Sequence, residues 1–191
     1  MKKKNIELDF VIDSMKNSNL VEQKEFLLSN EPVARLMGDE FSKIEGKTLK
    51  EQINEFFNSV GNKANSVFGD VFLDNRAFKD DSAHGLSRNK IAAFRAVPAI
   101  LQNGIAVLPI SEHKPGFQSG MIAAPIAIAE KEYIAVAVVR KDKSNNNRLY
   151  VHEVTLKEKL LTNSSNPTNE ANSQGDVANV LQKIISAKPS A

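Results

Sequence analysis

Four apolar segments in the second half of the chain constrain its fold more than any other feature of the sequence. They are Ile105–Ile110, Met121–Ala129, Tyr133–Arg140 and Arg148–Leu156. All four are apolar and partly β-branched, which is typical of strands. The linker at 141–147 is charged and Asn-rich, as in a hairpin, whereas the linker at 111–120 is longer and contains Pro115, Gly116 and Gly120. The sequence therefore predicts a meander of antiparallel strands.

The first half of the chain is predicted to be mainly helical. Apolar residues recur there at the spacing of one helix face, most clearly at Leu49, Ile53, Phe56 and Phe57, and Gly61 lies just past the end of this helix. The predicted helices cover about 6–29 (interrupted near 17–19), 48–59, 80–94 and 98–102, with short strands at 32–36 and 69–74. Helices that precede a run of strands favour the α+β class, here N-terminal helices followed by a small antiparallel β-sheet meander.

Composition shifts along the chain divide it into four parts. Residues 162–176 are polar and of low complexity, so they are predicted to be a linker. The apolar spacing after Asp176 predicts a final helix. The predicted parts are an N-terminal helical region at 1–60, an α+β core at 61–160, a polar linker at 161–175 and a C-terminal helix at 176–191.

Charge and composition restrict the class of protein. The net charge of +2 is uneven, because 61–160 carries 14 Lys/Arg against 10 Asp/Glu while 1–60 carries 9 against 11. A polyanion would therefore most readily meet the central part. No apolar stretch approaches the roughly 20 residues of a membrane span, and the charged N-terminus does not fit a signal peptide. The absence of cysteine fits a cytoplasmic protein, and no cofactor is expected.

A polar cluster runs from Asp80 to Lys90 and contains a histidine. His84 and Arg88 are four residues apart, so on one continuous helix they share a face. An aspartate three or four positions before His84 would orient its ring, and Ser87 would join the same face. A solvated helix start, in which the aspartates favour the positive end of the helix dipole, is the alternative interpretation of this cluster.

A second cluster, Tyr150-Val151-His152-Glu153, lies within the last predicted strand. Successive side chains of a regular strand point to opposite sides, so Tyr150 and His152 share one face while Val151 and Glu153 share the other. Unless a bulge intervenes, His152 and Glu153 do not enter one pocket. The face of Leu149 and Val151 is expected to pack against helices, which leaves the Tyr150 face as the candidate working surface. A purely structural histidine is the alternative.

The third histidine, His113, is predicted to lie in an exposed loop, with its neighbour Lys114 as a phosphate contact. Several motifs are missing from the sequence. It contains no His-x-x-x-His pair and no cysteine with which to bind zinc, no glycine-rich phosphate loop, and no Gly-x-Ser-x-Gly nucleophile motif. The sequence therefore gives no support to a zinc hydrolase, a nucleotide-binding protein with a phosphate loop, or a serine hydrolase.

Several short motifs between about 69 and 156 together resemble one known family. They are GDVFLDNR at 69–76, DSAHG at 81–85, KIAAF at 90–94, Val97-Pro98, Asn103-Gly104, AAPI at 123–126 and LYVHEV at 149–154. In combination they are similar to barnase/colicin-type endoribonucleases of phage and other mobile elements, within the barnase–EndoU–colicin–RelE superfamily. The resemblance covers nearly half of the chain and implies a fold of helices followed by a small antiparallel sheet.

The resemblance also implies a metal-independent cleavage of RNA, in which a 2′-OH attacks the adjacent phosphate. On the matching positions, His84 and His152 become the acid–base pair, with neither assigned to one role. Arg88 is the implied phosphate-binding cation and Lys90 a second one. The implied supporting residues are Ser82, Tyr150 and Glu153.

The sequence thus leads to the hypothesis of a toxin-like endoribonuclease that yields a 2′,3′-cyclic phosphate. RNA would be its substrate and an antitoxin or immunity protein its partner, and it would work in the cytoplasm or be delivered into a target cell. The first alternative is a non-catalytic nucleic-acid- or protein-binding module of a phage or mobile-element protein. A structural virion component is the second.

Overall fold

The computed structural model describes residues 15–82, 87–159 and 175–189, which form a mixed α+β fold. The helices are α1 (Asn17–Ser29), α2 (Leu49–Ser59), α3 (Arg76–Ser82), α4 (Arg88–Ala93), α5 (Val97–Asn103) and α6 (Gly175–Ile185), with a 3-10 turn at Phe94–Ala96. The strands are β1 (Arg35–Leu36), β2 (Lys63–Ser66), β3 (Gly69–Phe72), β4 (Ile105–Lys114), β5 (Phe117–Ile128), β6 (Lys131–Asp142) and β7 (Arg148–Glu158). The four long strands confirm the prediction from the apolar segments, and each extends beyond its apolar run.

The seven strands form one open, mostly antiparallel sheet in the order β1-β5-β6-β7-β3-β2, with β4 also paired to β5. One edge of β5 is shared, because β4 is antiparallel to its first part up to Ala123 and β1 is parallel to its end at Ala127 and Ile128. Pro125 lies between these two ladders and accepts a hydrogen bond from Val33 N at 2.8 Å. A residue without an N–H is tolerated here because neither β4 nor β1 pairs with it on this edge of β5, although Ile134 of β6 pairs with it on the other.

Alternation along β6 gives the sheet two buried faces. Tyr133, Ala135, Ala137 and Val139 belong to one apolar cluster, and the residues between them, Ile134, Val136 and Val138, belong to the other. A strand that is apolar at successive positions is therefore covered on both sides, as expected for a central strand. We call these two sides of the sheet the first face and the second face.

The first face is covered by α2 to α5. Phe57 of α2, Phe94 and Ile100 are at most 2% exposed and pack with the strand residues of the same cluster. Leu149 and Val151 of β7 belong to this cluster as well, which confirms the prediction that their side of the strand packs against helices. Each large aliphatic side chain buried in this way contributes about 1.5–3 kcal/mol of transfer free energy.

The second face is covered by α1 and α6, which come from the two ends of the described chain. Leu27 of α1 and Val180 of α6 are fully buried in the second apolar cluster. The two helix regions also meet directly, because Lys24 Nζ donates to Ala187 O at 3.0 Å. The apolar run of β6 on this face ends at Val138, since the next residue of the same side, Arg140, is charged.

The sequence determines the start of α2 through a capping box. Thr48 Oγ1 accepts from Glu51 N at 3.1 Å, and the Glu51 carboxylate accepts from Thr48 N at 2.8 Å. Two backbone N–H groups that the first helical turn leaves unpaired are thereby satisfied. Past the helix, Gly61 adopts φ +84°, a conformation that favours glycine, and turns the chain toward β2. The helix predicted at 48–59 is confirmed.

The prediction of a continuous helix over 80–94 is wrong. Ser87 has an extended backbone (φ −72°, ψ 157°) and its Oγ accepts from Lys90 N at 3.2 Å, so it is the N-cap of α4. A capping serine starts a new helix because its hydroxyl replaces the carbonyl that a preceding turn would supply. The common helix face inferred for His84 and Arg88 requires an unbroken helix, and that argument fails. His84 itself lies outside the described residues.

Candidate functional site

A β-bulge interrupts the pairing of β6 with β7 at a histidine. Val139 pairs with Val151, but Val138 pairs with Glu153, so His152 is an extra residue in β7. A bulge of this kind lets two successive side chains point to the same side of the strand. The expectation that His152 and Glu153 face opposite sides holds only for a regular strand, and this strand is not regular.

A second bulge lies at another histidine, in β4. Glu112 pairs with Gln118 and Lys114 pairs with Phe117, so His113 is an extra residue at the last of three register shifts in this ladder. The loop predicted at this position is therefore wrong, because residues 105–114 form one long strand. A run of polar residues in the sequence suggested a loop, whereas this part of β4 extends as a hairpin beyond the apolar core.

Both bulged histidines line one cavity of about 110 Å³, which we call the bulge cavity. Its charged and polar lining comes from four strands and the first turn of α6. The side chains used below are His113, Lys114, Ser119, Arg140, His152 and Glu153. Bulges are frequent next to active sites because they redirect side chains, and here two of them redirect side chains toward the same space.

His113 is part of the buried wall of this cavity. It is only 3% exposed, in contrast to the predicted exposed position. Its ring nitrogens lie within hydrogen-bonding distance of Ser111 Oγ, with Nε2 at 3.0 Å, and Nε2 is 3.4 Å from Pro109 O. These partners hold the imidazole in a fixed orientation, so His113 is suited to a structural role in the wall of the cavity.

His152 and Glu153 of β7 both line the bulge cavity, and His152 also contacts an aromatic side chain. The His152 ring meets the ring of Tyr150 edge-on, with centroids 6.2 Å apart and an interplanar angle of 89°. Tyr150 is 8% exposed and its ring is covered by the Arg76 guanidinium, whose Cζ is 3.5 Å from the ring centroid. The predicted working face of β7 is thus a row of packed rings that ends at the cavity.

Arg76 is held in place by two carboxylates. It donates to both oxygens of Asp74 and, through Nη1, to Asp142 Oδ2 at 2.7 Å. The hydrogen bonds to Asp74 are the main reason why the pKa of Arg76 rises above its ordinary value. Hydrogen bonds from Ser144 and then from Arg76 lower the pKa of Asp142. This network fixes the Tyr150 ring and, through it, the edge of His152.

Arg140 supplies the guanidinium of the bulge cavity. Its Nε is inaccessible to solvent and has no hydrogen-bond partner among the described residues. Its Cζ lies 4.3 Å from the centroid of the Phe117 ring, on the hairpin between β4 and β5. A guanidinium that stacks on an aromatic ring keeps its N–H edge available to bind two oxygens of an anion.

One ion pair spans the mouth of the cavity. Lys114 Nζ lies 3.7 Å from Asp176 Oδ2 in the first turn of α6, and the lysine side chain is 59% exposed. An exposed pair at this distance contributes little to stability, because solvent screens it. An incoming phosphate can therefore displace the carboxylate from Lys114 at a small cost.

The other predicted site residues do not all belong to this cavity. Arg88 donates from Nε to Gly38 O at 3.0 Å and lines a separate cavity of about 380 Å³. Lys90 is half-buried on α4 and is not part of the lining of the bulge cavity. His84 lies outside the described residues, as does the side chain of Ser82 at the end of α3.

Arg140, Ser119 and His113 were missed as site residues by sequence reasoning. Arg140 did carry a signal, because it follows Val136 and Val138 on the same side of an otherwise apolar strand. A charge at that position means that the apolar cover of the face has ended. Ser119 and His113 carried none, since their importance comes from a pairing register that the sequence does not display.

Within residues 15–82, 87–159 and 175–189, no three His, Asp or Glu side chains are grouped as ligands for a metal ion. The same part of the chain has no helix long and apolar enough to cross a membrane. Comparison with protein-family models, curated proteins and solved structures finds no match to this chain.

Proposed function

We propose that this protein is a metal-independent endoribonuclease, and that the bulge cavity is its active site. The bulge at His152 carries the proposal, because it brings an imidazole and the carboxylate of Glu153 to one cavity beside the guanidinium of Arg140. A proton acceptor, a proton donor and a cation for phosphate are the groups that RNA cleavage by its own 2′-OH requires.

The reaction proposed is a transfer of the phosphate within the substrate. The Glu153 carboxylate accepts the proton of the ribose 2′-OH, whose oxygen forms a bond to the adjacent phosphorus. The bond from phosphorus to the 5′-oxygen breaks, and the His152 imidazolium donates a proton to that leaving oxygen. The products are a 2′,3′-cyclic phosphate and a 5′-hydroxyl. An imidazole titrates near neutral pH, so it can donate a proton there.

Arg140 and Lys114 are the proposed cations for the negative charge that builds up on the phosphate oxygens. Arg140 lines the cavity and forms no ion pair with a described carboxylate, so its guanidinium is suited to bind a phosphate oxygen there. Lys114 lines the same cavity, so its ammonium group would leave Asp176 and bind the same phosphate instead. Electrostatic stabilisation of this kind is commonly a large part of the rate enhancement.

The size of the cavity is compatible with one phosphate group of a larger substrate. Small-molecule sites are typically about 300–1,000 Å³. At about 110 Å³, the bulge cavity suits one phosphate group with its sugar and bases outside. An RNA chain presents such a phosphate at every nucleotide.

The resemblance to barnase/colicin-type nucleases supports the same proposal, including a relationship of fold to that superfamily. It also keeps His84, Arg88, Lys90 and Ser82 as candidates. Their contribution stays a prediction, to be tested by single alanine variants. The proposed partner is an inhibitory protein of the antitoxin or immunity class, because an unrestrained ribonuclease would poison the cell that makes it.

The test is incubation of the pure protein with total RNA in EDTA, beside the variants His152→Ala and Glu153→Gln. Glu158→Gln, on the same strand but at its end, is the matched control. We expect discrete fragments that end in a 2′,3′-cyclic phosphate from the parent and the control, and a loss of about 100-fold or more in each site variant.

Two results would contradict this proposal. Intact RNA with every protein would leave the alternative of a non-catalytic nucleic-acid- or protein-binding module. Full activity in both site variants would show that the chemistry lies elsewhere, and the His84→Ala variant would then be the next to measure.

A further inference from the structure

The second face of the sheet has an end that neither apolar cluster of the described residues covers. Beyond Val138, the residues of this face are no longer part of the second apolar cluster. On β5, β6, β7 and β3 they are Phe117, Arg140, Arg148, Tyr150 and Phe72, which we call the arginine–aromatic patch. Phe117 is 47% exposed, one of few large apolar side chains in the described residues to be so.

Each aromatic ring of the patch is stacked with a guanidinium. Arg140 lies over Phe117 with 4.3 Å from Cζ to the ring centroid, and Arg148 lies over Phe72 with 4.1 Å. Arg76 covers Tyr150 in the same way. In each case one face of the ring is occupied by a cation, which also fixes its orientation.

The concentration of these pairs is unusual. Contacts of this type occur about once per 70–80 residues, so two or three are expected in a chain of this length. Four occur in the described residues, and three of them lie together at one end of one face. The fourth, Arg95 over Phe56, lies among the elements of the first face.

The cations of the patch differ in their availability. Arg76 is neutralised by Asp74 and Asp142 and therefore acts as scaffold. Arg140 and Arg148 form no ion pair with a described carboxylate, so their charge is available to an anionic partner. Aromatic rings interleaved with free guanidinium groups are the combination that binds unpaired nucleotides, through base stacking and phosphate contacts.

The patch is continuous with the bulge cavity. Arg140 belongs to both, and Tyr150 touches His152. In the sheet, Ser119 pairs with Arg140, Arg140 with Tyr150 and Tyr150 with Phe72, so the patch crosses four neighbouring strands. At about 4.8 Å per strand spacing, its length is roughly 14 Å, enough for two or three nucleotides.

We propose that the arginine–aromatic patch binds single-stranded RNA on either side of the phosphate held in the bulge cavity, with Phe117 and Phe72 each stacking on an unpaired base. This inference rests on the proposed function and adds to it a substrate class, RNA without secondary structure. Double-stranded RNA has no free base faces, so it should bind the patch poorly.

The chain contains no tryptophan, which makes a direct test possible. Phe117→Trp and Phe72→Trp each introduce a single indole into the patch. Phe56→Trp, under Arg95 among the first-face elements, is the matched control. The ligand is a 2′-O-methyl RNA decamer, which lacks the attacking hydroxyl and so stays intact in the parent protein.

We expect saturable quenching of the indole fluorescence in Phe117→Trp and Phe72→Trp, and no change in Phe56→Trp. By anisotropy of a labelled decamer, Phe117→Ala and Arg148→Ala should each weaken binding about five-fold or more, whereas Arg95→Ala should not. With cleavable RNA, Arg148→Ala should raise KM and retain kcat, whereas Phe117→Ala also removes the ring on which Arg140 stacks and should lower kcat as well. The decamer annealed to its complement should bind more weakly.

The outcomes separate the two proposals. RNA that is bound and cleaved, without quenching in the patch or loss of affinity in its variants, overturns the patch and leaves the nuclease intact. Quenching by RNA that no form of the protein cleaves supports the patch and overturns the nuclease. Equal quenching in the Phe56→Trp control, or no binding of RNA at all, overturns the patch.

Discussion

The central strands β5 and β6 differ from their outer neighbours β4 and β7 in one respect. β5 and β6 pair without interruption over ten positions, from Ser119 with Arg140 to Ile128 with Lys131. β4 and β7 each pair with that central ladder through at least one bulge, at His113 and at His152. The regular pair supplies buried residues to both apolar cores at successive positions, and the bulged strands supply most of the candidate chemistry.

The difference follows from what a regular strand permits. Strict alternation assigns every residue to one face, so a strand with two buried faces has no position for a functional group. One extra residue changes this locally and leaves the alternation before and after it intact. Leu149 and Val151 precede the bulge in β7 and Val154 follows it, yet all three belong to the first-face cluster.

The largest expected difference in stability comes from deleting one residue from a regular strand and one residue from a bulged strand. Deletion of Ala137 from β6 would move the rest of that strand to the opposite face. We therefore expect the loss of any cooperative unfolding transition, measured by circular dichroism in urea. Deletion of His152 from β7 would only make the strand regular. We expect its free energy of unfolding to stay within about 1 kcal/mol of the parent.

The same deletion of His152 should nevertheless lower RNA cleavage by about 100-fold or more, because it removes the proposed proton donor, one of the two successive β7 side chains that the bulge brings to the cavity. A stable, fully active deletion variant would show that the bulge has no catalytic role. An unfolded one would show that it is needed for the fold.

A smaller effect is expected at the contact between the regular β5 and the bulged β4. A Cβ at Gly120 would stand 2.9 Å from Leu108 O and from Ile110 Cγ1, so Gly120→Ala forces the two strands apart. We expect a loss of about 1–3 kcal/mol in the free energy of unfolding, measured in urea. Cleavage should fall as well, since β4 carries His113 and Lys114. Gly116→Ala, in the adjoining turn, is the comparison variant. An added Cβ meets nothing within 4 Å there, but φ is +85°, so its cost measures conformational strain, whereas the cost of Gly120→Ala measures steric crowding.

The smallest effect concerns Asp142 at the end of β6. Its pKa is lowered in the folded protein by Ser144 and Arg76, from an ordinary value of 3.8. A carboxylate of this kind stabilises the fold at pH values above 3.8, and the contribution is lost as the pH falls through the lower folded value. Asp142→Asn should thus reduce the urea midpoint at pH 7 by more than at pH 3. An equal reduction at both values would contradict a lowered pKa of Asp142 in the folded protein.

The four long strands and the helix at 48–59 were predictable because they depend on local pattern. The four apolar segments became β4 to β7, and the apolar stripe of Leu49, Ile53, Phe56 and Phe57 became the buried side of α2. The short strand β2 was not predicted, since Lys63–Ser66 has no apolar alternation. The helix over 80–94 was mispredicted because apolar spacing does not reveal whether a serine such as Ser87 will cap.

The candidate site was predictable only in part. His152, Glu153, Tyr150 and Lys114 were selected from the sequence, and Arg140 was not. A bulge adds one residue to a ladder without changing composition or apolar spacing, so its position depends on the partner strand. The polar end of β4 around His113 was interpreted as a loop because its residues are polar, and only its pairing with β5 shows that it is a strand.

The meeting of α1 with α6 has a consequence for the nascent chain. Every element of the first face has been synthesised once Glu158 is complete, whereas the second face needs α6, the last helix of the described chain. The strands therefore carry an exposed apolar side until α6 has been synthesised. That side is where a chaperone, or another unfinished copy, would bind the growing protein.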